Sequence, residues 1–340
     1  MAAESSSSSS SLPANSKLSL LNSIDLSSSD AQTSVSLLKQ ACLDSGFFYV
    51  VNHGISSEFM EEVFEQSKMF FELPIDEKMK LLRNEKHRGY TPVLDEHLDP
   101  KNQVNGDYKE GYYIGVEVPE GEAGSDKPFY GPNVWPSTDI LPRWRETMEK
   151  YHGEALRVAK EVAKIIALAL GLDEDFFDKP EMLVEPIAIL RLLHYEGTVS
   201  DTEKGIYGAG AHSDFGFITL LATDDVWGLQ ICKDKDANPQ VWEYVPPQKG
   251  EFIINLGDLL ERWSNGIFRS TVHRVLGCTQ ERYSIAYFVN PNHDCLVECL
   301  PTCKSETNPP KFPPVKCSTY LRQRYKDTHT DLSSYQNRKT

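Results

Sequence analysis

The sequence predicts a mainly β protein, in which a double-stranded β-helix (jelly roll) carries flanking helices and follows an α/β N-terminal region. Three observations predict this class. From residue 187 onward, short apolar runs alternate with period two, and Gly and Pro clusters separate them. A long helical pattern precedes these runs, and the first 140 residues mix helical and strand patterns. About eight short strands at this spacing are typical of a jelly roll, the double-sheet form of cupins.

The first half of the chain alternates between helical and extended patterns. Apolar residues at helical spacing over 35–42 predict a short helix, and the run 46–51 predicts a buried strand. Ser56 or its neighbour is suited to cap a second helix through its hydroxyl group. A long helix is predicted over 141–170, ended by Gly171. We expect this helix to brace the sheet, since it carries no reactive pattern.

The second half of the chain is predicted to form the sheets. A helical turn over 259–266 precedes one strand, and a helix is expected near 319–325. The predicted strands span residues 187–195, 211–222, 228–232, 241–246, 251–256, 269–276 and 282–289.

Composition limits the classes of partner. The chain has 340 residues, enough for a large core, and a formal net charge of −15. This acidic balance argues against nucleic acid or an anionic membrane surface as the main partner. No apolar run approaches the roughly 20 residues of a membrane span. Seven scattered cysteines without a secretory segment favour a reducing compartment. We expect a cytoplasmic monomer.

The N-terminus is expected to stay outside the folded part. Residues 1–16 include seven consecutive serines and should form a disordered leader. A transit peptide is the alternative, but such segments are Arg-rich and acid-poor, whereas Glu4 is present and Arg83 is the first arginine. After the leader we predict an N-terminal region over 17–140, a bracing helix over 141–185, a jelly-roll core over 186–300, and a C-terminal loop and helix over 301–340.

Two histidines and one aspartate form a candidate metal site. His212 and Asp214 are two residues apart, so on a strand their side chains project to the same side. His273, far along the chain, completes the set. Two imidazoles and one carboxylate occupy one face of an octahedral metal and leave open positions, which is typical of non-haem Fe(II). A second His-x-Asp pair, at residues 97–99, is followed by Pro-Lys-Asn and is expected in a loop.

Arg282 and Ser284 repeat the two-residue spacing on a later strand. A guanidinium offers a two-donor fork and a hydroxyl adds a further bond, so the pair is suited to hold a carboxylate. The alternative is a structural pair of histidines and a strand arginine. Four cysteines near the C-terminus suggest zinc, but their spacing is unlike that of usual zinc sites and favours a structural role; they are Cys295, Cys299, Cys303 and Cys317.

Taken together, His212-x-Asp214, His273 and Arg282-x-Ser284 resemble the plant 2-oxoglutarate/Fe(II)-dependent dioxygenases, within the isopenicillin N synthase superfamily. The segments 46–55 (GFF…NHGI) and 133–136 (NVWP) match further signatures of these enzymes. The resemblance implies that the three ligands bind Fe(II) and that 2-oxoglutarate and O2 are co-substrates. It also implies that ascorbate helps in vitro, and that a small organic metabolite is oxidised while succinate and CO2 are released.

The resemblance also implies roles for single residues. Arg282 and Ser284 would bind the C5 carboxylate of 2-oxoglutarate, and Tyr195 matches the tyrosine that adds a further bond. Many relatives have N-Y-Y-P-P-C here, whereas this chain has Leu193-His194-Tyr195-Glu-Gly. The absent motif places the chain in a divergent branch and leaves the polar detail of the co-substrate pocket open.

The substrate is expected to be an apolar or aromatic small molecule, with or without a carboxylate. Period two places Phe288 on the same face as Arg282, and Phe215 and Phe217 flank the metal strand. Tyr108 lies in a segment that covers the site in relatives. These four aromatic residues are the candidate substrate contacts. Two alternatives remain open: a same-fold Fe(II) oxidase that does not use 2-oxoglutarate, and a non-catalytic small-molecule binder.

Overall fold

The computed structural model describes residues 16–234 and 237–330, and the expected leader lies outside them except for Ser16. The helices are α1 Ala31–Asp44, α2 Ser57–Phe71, α3 Ile75–Lys80, α4 Trp144–Ala169, α5 Asp258–Trp263 and α6 Cys317–Thr328. The strands are β1 Ser23–Asp25, β2 Phe47–Val51, β3 Gly89–Thr91, β4 Glu110–Gly115, β5 Ile187–Tyr195, β6 Ala209–His212, β7 Ile218–Thr223, β8 Leu229–Asp234, β9 Val241–Tyr244, β10 Phe252–Leu256, β11 His273–Val275, β12 Arg282–Asn290, β13 Leu296–Val297 and β14 Val315–Lys316.

Local sequence signals explain where the helices begin and end. The side chain of Asp30 accepts a hydrogen bond from the backbone of Thr33 at the start of α1. Ser56 does the same for Phe59 at the start of α2, as the sequence predicts. Gly171 follows α4 with a φ of +72°, a conformation that glycine adopts without strain.

Two sheets, antiparallel except for one pair of strands, form the centre of the described residues. The larger has the strand order β1-β2-β10-β7-β12-β5-β4-β3, with β1 and β2 parallel, and the smaller has the order β6-β11-β8-β9. Apolar side chains from both sheets pack into one cluster, which includes Phe47, Leu193, Ile231 and Val275. This arrangement confirms the predicted mainly β jelly roll with flanking helices.

Helix α4 braces the large sheet on its other face. The buried side of α4 packs in the same apolar cluster as residues of β5 and β12. This side includes Trp144, Tyr151, Val158 and Val162. The imidazole of His152 also contacts the backbone carbonyl of Ala188, 3.3 Å away. The sheet is therefore covered by apolar residues on the face opposite the smaller sheet.

The single strand predicted over 211–222 is wrong. The chain leaves the small sheet after β6 and enters the large sheet at β7, and residues 213–217 form the crossing between them. Gly216 lies at this crossing, where a Cβ atom would come within 2.1 Å of the Asn290 side chain. Alternation of apolar residues continues across the crossing, so the sequence pattern does not reveal it.

The buried side of α4 predicts a difference between two nearby apolar residues. Ile166 is fully buried and Leu168 is 38% exposed. Ile166→Ala should lower the free energy of unfolding by about 2–4 kcal/mol, because it leaves a cavity against the sheet. Leu168→Ala should cost less than about 1 kcal/mol, since little apolar surface leaves the core. Urea unfolding of both variants measures this, and equal losses would contradict the proposed packing of α4.

Candidate active site

His212 and His273 lie opposite each other on neighbouring strands of the small sheet. Strands β6 and β11 are antiparallel, and their register places His273 directly opposite His212. The two ring centroids are 4.3 Å apart. Asp214 follows β6 by two residues, and the possible ligand atoms of all three residues lie within 4.8 Å of one another. The structure therefore brings the predicted metal residues together.

Hydrogen bonds orient both imidazoles. Nδ1 of His212 lies 2.8 Å from the carbonyl oxygen of Gly210, and Nδ1 of His273 lies 3.1 Å from that of Thr271. Since a carbonyl only accepts, each Nδ1 donates, which leaves Nε2 as the ring nitrogen that can bind a metal. The two Nε2 atoms lie 3.7 and 3.6 Å from Oδ1 of Asp214.

The Asp214 carboxylate is fixed through its other oxygen. Oδ2 accepts hydrogen bonds from Nδ2 of Asn255 at 2.7 Å and from Oγ1 of Thr219 at 2.5 Å. Oδ1 is left facing the two imidazoles. These bonds orient Asp214. The sequence predicts that Asp214 lies on the same strand as His212, but β6 ends at His212, so alternation along a strand does not explain its position.

Electrostatics favour the protonation states that a metal needs. Burial and the neighbouring His273 lower the pKa of His212 to about 3, so its ring is neutral at neutral pH. Burial would raise the pKa of Asp214, but His273 and His212 lower it below its usual value. Two imidazoles and one carboxylate form a donor set that suits Fe(II) and leaves further positions open.

Arg282, Ser284 and Tyr195 line a cavity next to these three residues, which we call the inner cavity. In the register of β12 and β5, Arg282 is opposite Tyr195, and its guanidinium carbon lies 5.1 Å from the tyrosine ring centroid. Nη1 of Arg282 donates to Oγ of Ser284 over 3.2 Å, and Nε donates to the carbonyl oxygen of Val226. The structure thus brings a buried guanidinium, a hydroxyl group and a phenol to one wall.

A second cavity, which we call the outer cavity, meets the inner one at His212 and Asp214. Leu98, Arg191 and Phe288 also line both. The outer cavity encloses about 50 Å³, room for only a few water molecules. Its remaining wall is formed by aromatic, apolar and polar side chains, including Phe215, Tyr113, Tyr325, Leu321, Glu96, Asn290 and His329.

The four predicted substrate contacts are placed differently. Phe288 and Phe215 line the outer cavity. Phe217 lines neither cavity: it is fully buried and packs against Phe177 and Trp263, so its role as a substrate contact stays a prediction that the structure does not support. The reason is the crossing between the sheets, which turns Phe217 into the apolar core. Tyr108 lines neither cavity among the described residues, so its role as a substrate contact stays a prediction.

A buried cluster of charges at the cavities escaped the sequence analysis. Arg191 donates from Nη1 and Nη2 to the two carboxylate oxygens of Glu96, at 2.8 and 2.7 Å. Nζ of Lys109 lies 2.8 Å from the same carboxylate and also contacts Asp107. An arginine within an apolar strand was the signal that could have revealed this cluster, since a buried cation requires a partner.

The competing metal sites are not supported within residues 16–234 and 237–330. His97 and Asp99 belong to no group of three possible ligands there, and Asp99 accepts from Asn102 in a loop. The four C-terminal cysteines form no such group either. A second group, formed by Glu110, His194 and Glu196, does occur. Its central carboxylate, Glu110, already pairs with Lys78 and His194.

Membrane insertion through a helix finds no support. None of the helices in the described ranges combines the length and the apolar character that are needed to cross a bilayer.

Two family descriptions match the chain. Residues 21–138 match the "non-haem dioxygenase in morphine synthesis N-terminal" family, and residues 186–291 match the "2OG-Fe(II) oxygenase superfamily". The second range contains all the predicted metal and co-substrate residues that line the inner cavity.

Curated relatives cover almost the whole chain. Kihadalactone A synthase LFS of Citrus sinensis is 51% identical over 312 residues, which are 92% of this chain and 93% of the relative. Azadirone synthase LFS of Melia azedarach is 50% identical over 90% of this chain and 92% of its own length. The 2-oxoglutarate-Fe(II) type oxidoreductase hxnY of Emericella nidulans is 36% identical, over 88% and 86% of the two chains.

Solved structures show the same fold. A full-length protein of Neurospora crassa in complex with alpha-KG superposes with a TM-score of 0.77 at 32% identity, covering 93% of this chain and 98% of that one. JOX2 in complex with 2OG, Fe and JA superposes with a TM-score of 0.75 at 28% identity, covering 96% of each chain.

The bond between Thr219 and Asp214 predicts the behaviour of two threonines on β7. Thr219→Val removes a hydrogen bond that fixes the carboxylate, and should weaken divalent metal binding about 10- to 100-fold. Thr223→Val is the matched control, because Thr223 is also buried on β7 but its hydroxyl has no hydrogen-bond partner in the described part of the chain. Anaerobic Fe(II) titration compares the two. Equal weakening in both variants would mean that the bond to Asp214 has no special role.

Proposed function

The chain belongs to the 2-oxoglutarate-Fe(II) oxygenase superfamily, and we propose that His212, Asp214 and His273 are its iron ligands. It is a 2-oxoglutarate-dependent dioxygenase that acts on a small organic metabolite. The observation that carries the assignment is the convergence of two Nε2 atoms and one carboxylate oxygen, while hydrogen bonds occupy the remaining polar atoms of these side chains. When bound, Fe(II) provides positions for 2-oxoglutarate and O2 and the redox chemistry of C–H oxidation.

Arg282 is proposed to bind the distal carboxylate of 2-oxoglutarate. Arg282 is 3% exposed, and the bonds of its guanidinium to Ser284 and Val226 leave further N–H groups for an anion. Ser284 and Tyr195 would add hydroxyl contacts, as both line the inner cavity. A buried cation without a carboxylate bonded to it is costly, and a bound dicarboxylate supplies the missing charge.

Phe288 and Phe215 are proposed to contact the metabolite. Both line the outer cavity, and Phe288 also lines the inner one, so it would lie beside both the metabolite and 2-oxoglutarate. The names of the two relatives near 50% identity, synthases of kihadalactone A and azadirone, support a role in specialised metabolism. O2 is the proposed second co-substrate, with ascorbate sustaining activity in vitro. From the acidic composition we further propose that the protein binds no nucleic acid. The scattered cysteines support a cytoplasmic location, and we propose that the protein is a monomer.

The iron assignment predicts loss of activity in three variants. His212→Ala, Asp214→Ala and His273→Ala should each abolish Fe(II)-dependent succinate formation, because each removes one of three ligands. Their far-UV circular dichroism should stay unchanged, since the fold depends on the apolar core. His97→Ala and Asp99→Ala are the controls and should keep full activity. Inactivation by these two changes, with activity kept in the first three, would move the metal site to residues 97–99.

The co-substrate assignment predicts a change in 2-oxoglutarate dependence. Arg282→Lys keeps the charge but loses the planar fork, so the 2-oxoglutarate concentration for half-maximal rate should rise about 10- to 100-fold. Fe(II) affinity should stay within about threefold, since Arg282 touches none of the ligands. Arg274→Lys is the control, because Arg274 pairs with Gln230 and lines neither cavity. If wild-type protein consumes O2 but forms no succinate, the chain is instead a same-fold oxidase that does not use 2-oxoglutarate.

A further inference from the structure

The charges on the wall of the outer cavity cancel within the protein. Both terminal nitrogens of Arg191 are bound by Glu96, and Lys109 is shared between Glu96 and Asp107. All four side chains are buried. Burial would raise the pKa of Glu96, but Arg191 and Lys109 hold it well below its usual value, so the carboxylate is charged. The cluster therefore contains two acids and two bases with no net charge.

His329 also contacts this cluster. Its Nε2 lies 3.0 Å from Glu96 and 2.8 Å from the hydroxyl of Tyr113. The hydroxyl of Thr328 donates to the carbonyl oxygen of Arg324, so its oxygen is the acceptor for Nδ1 of His329, 3.0 Å away. These contacts hold His329 in the wall beside Glu96.

Tyr325 supplies a polar group that is not used inside the protein. Its ring lies 5.0 Å from that of His329 and 5.7 Å from that of Phe215, at the edge of the outer cavity. Its hydroxyl makes no hydrogen bond to any residue that the structure describes, and its oxygen stays accessible although the ring is largely buried. Such a hydroxyl can exchange a water molecule for an oxygen atom of a bound molecule.

We propose that the metabolite is uncharged and largely apolar, that one of its hydroxyl or carbonyl oxygens bonds to the hydroxyl of Tyr325, and that Glu96 selects against carboxylates by neutralising Arg191. This rests on the proposed function, in which the outer cavity holds the metabolite. An anionic substrate would have to displace Glu96 from Arg191 and leave that carboxylate buried without its main partner. A neutral molecule meets no such cost.

Benzyl alcohol and benzoate are matched probes for this proposal, because they share a ring and differ in charge. Each is titrated into wild-type protein saturated with Mn(II), which replaces Fe(II) without oxidation chemistry, and with 2-oxoglutarate. Paramagnetic relaxation of the probe protons reports binding beside the metal site. Benzyl alcohol should bind about tenfold or more tightly than benzoate, because the carboxylate loses hydration without gaining a cation.

Three variants separate the parts of the proposal. Glu96→Gln leaves the two cations with one carboxylate fewer, and should raise benzoate affinity about tenfold while changing that of benzyl alcohol little. Glu110→Gln is the matched control, since Glu110 is equally buried and paired with Lys78 but lines neither cavity. Glu110→Gln should leave the ratio of the benzyl alcohol affinity to the benzoate affinity unchanged. Tyr325→Phe should weaken benzyl alcohol about three- to tenfold and leave benzoate unaffected.

Two results would overturn the proposal: a wild-type protein that prefers benzoate, or a Glu96→Gln protein that binds Mn(II) and 2-oxoglutarate normally with an unchanged probe ratio. If Glu96→Gln does not fold, the relative affinity of wild-type protein for the two probes and the effect of Tyr325→Phe still test the proposal. Failure of wild-type protein to bind Mn(II) or 2-oxoglutarate at all would instead contradict the proposed function. The two kinds of failure are therefore distinguishable.

Discussion

The register of β12 between its two neighbours is the constraint on which the site depends most. β12 pairs with β5 on one side and β7 on the other, so most of its residues are fixed twice. Arg282, Ser284 and Phe288 line the inner cavity, while Ile285 and Tyr287 enter the apolar core beneath α4. A slip of one residue would exchange these sets and bury a guanidinium among aliphatic side chains. The apolar face therefore holds the polar face in position, although it takes no part in the chemistry.

The second constraint is electrostatic and ties the loop before β4 to β5. Glu96, Asp107 and Lys109 come from the segment that leads into β4, and Arg191 lies in the middle of β5. Each charge is buried and compensated, so loss of one partner typically costs about 3–5 kcal/mol. The segment is held at the mouth of the site by these pairs. The wall of the outer cavity is consequently a fixed arrangement of charge as well as of shape.

The sequence predicts the elements whose pattern is local. Alternation predicts a strand over 187–195, and β5 spans Ile187–Tyr195. The spacing of the three metal candidates likewise selects residues that the structure brings together. What the pattern misses depends on distant contacts. The crossing between the sheets at residues 213–217 follows from packing against β12, so the pattern does not reveal that Phe217 enters the apolar core. Glu96 is separated from Arg191 by 95 residues, and no local signal connects them.

The walls of the two cavities are built from different elements. This difference determines which residues can be substituted without disturbing the strand pairing. The inner wall consists of paired strands, where altering a residue risks the register. The outer wall adds side chains from the loop before β4 and from the end of α6, such as Tyr325, which side-chain contacts hold together. Substitutions there leave the strand pairing intact. Glu96 is the exception. Its partner Arg191 lines both cavities, so a change of charge at Glu96 would also change the electrostatic potential in the inner cavity. Residues such as Tyr325 are therefore free to vary with the metabolite, whereas the charge of Glu96 is tied to the whole site.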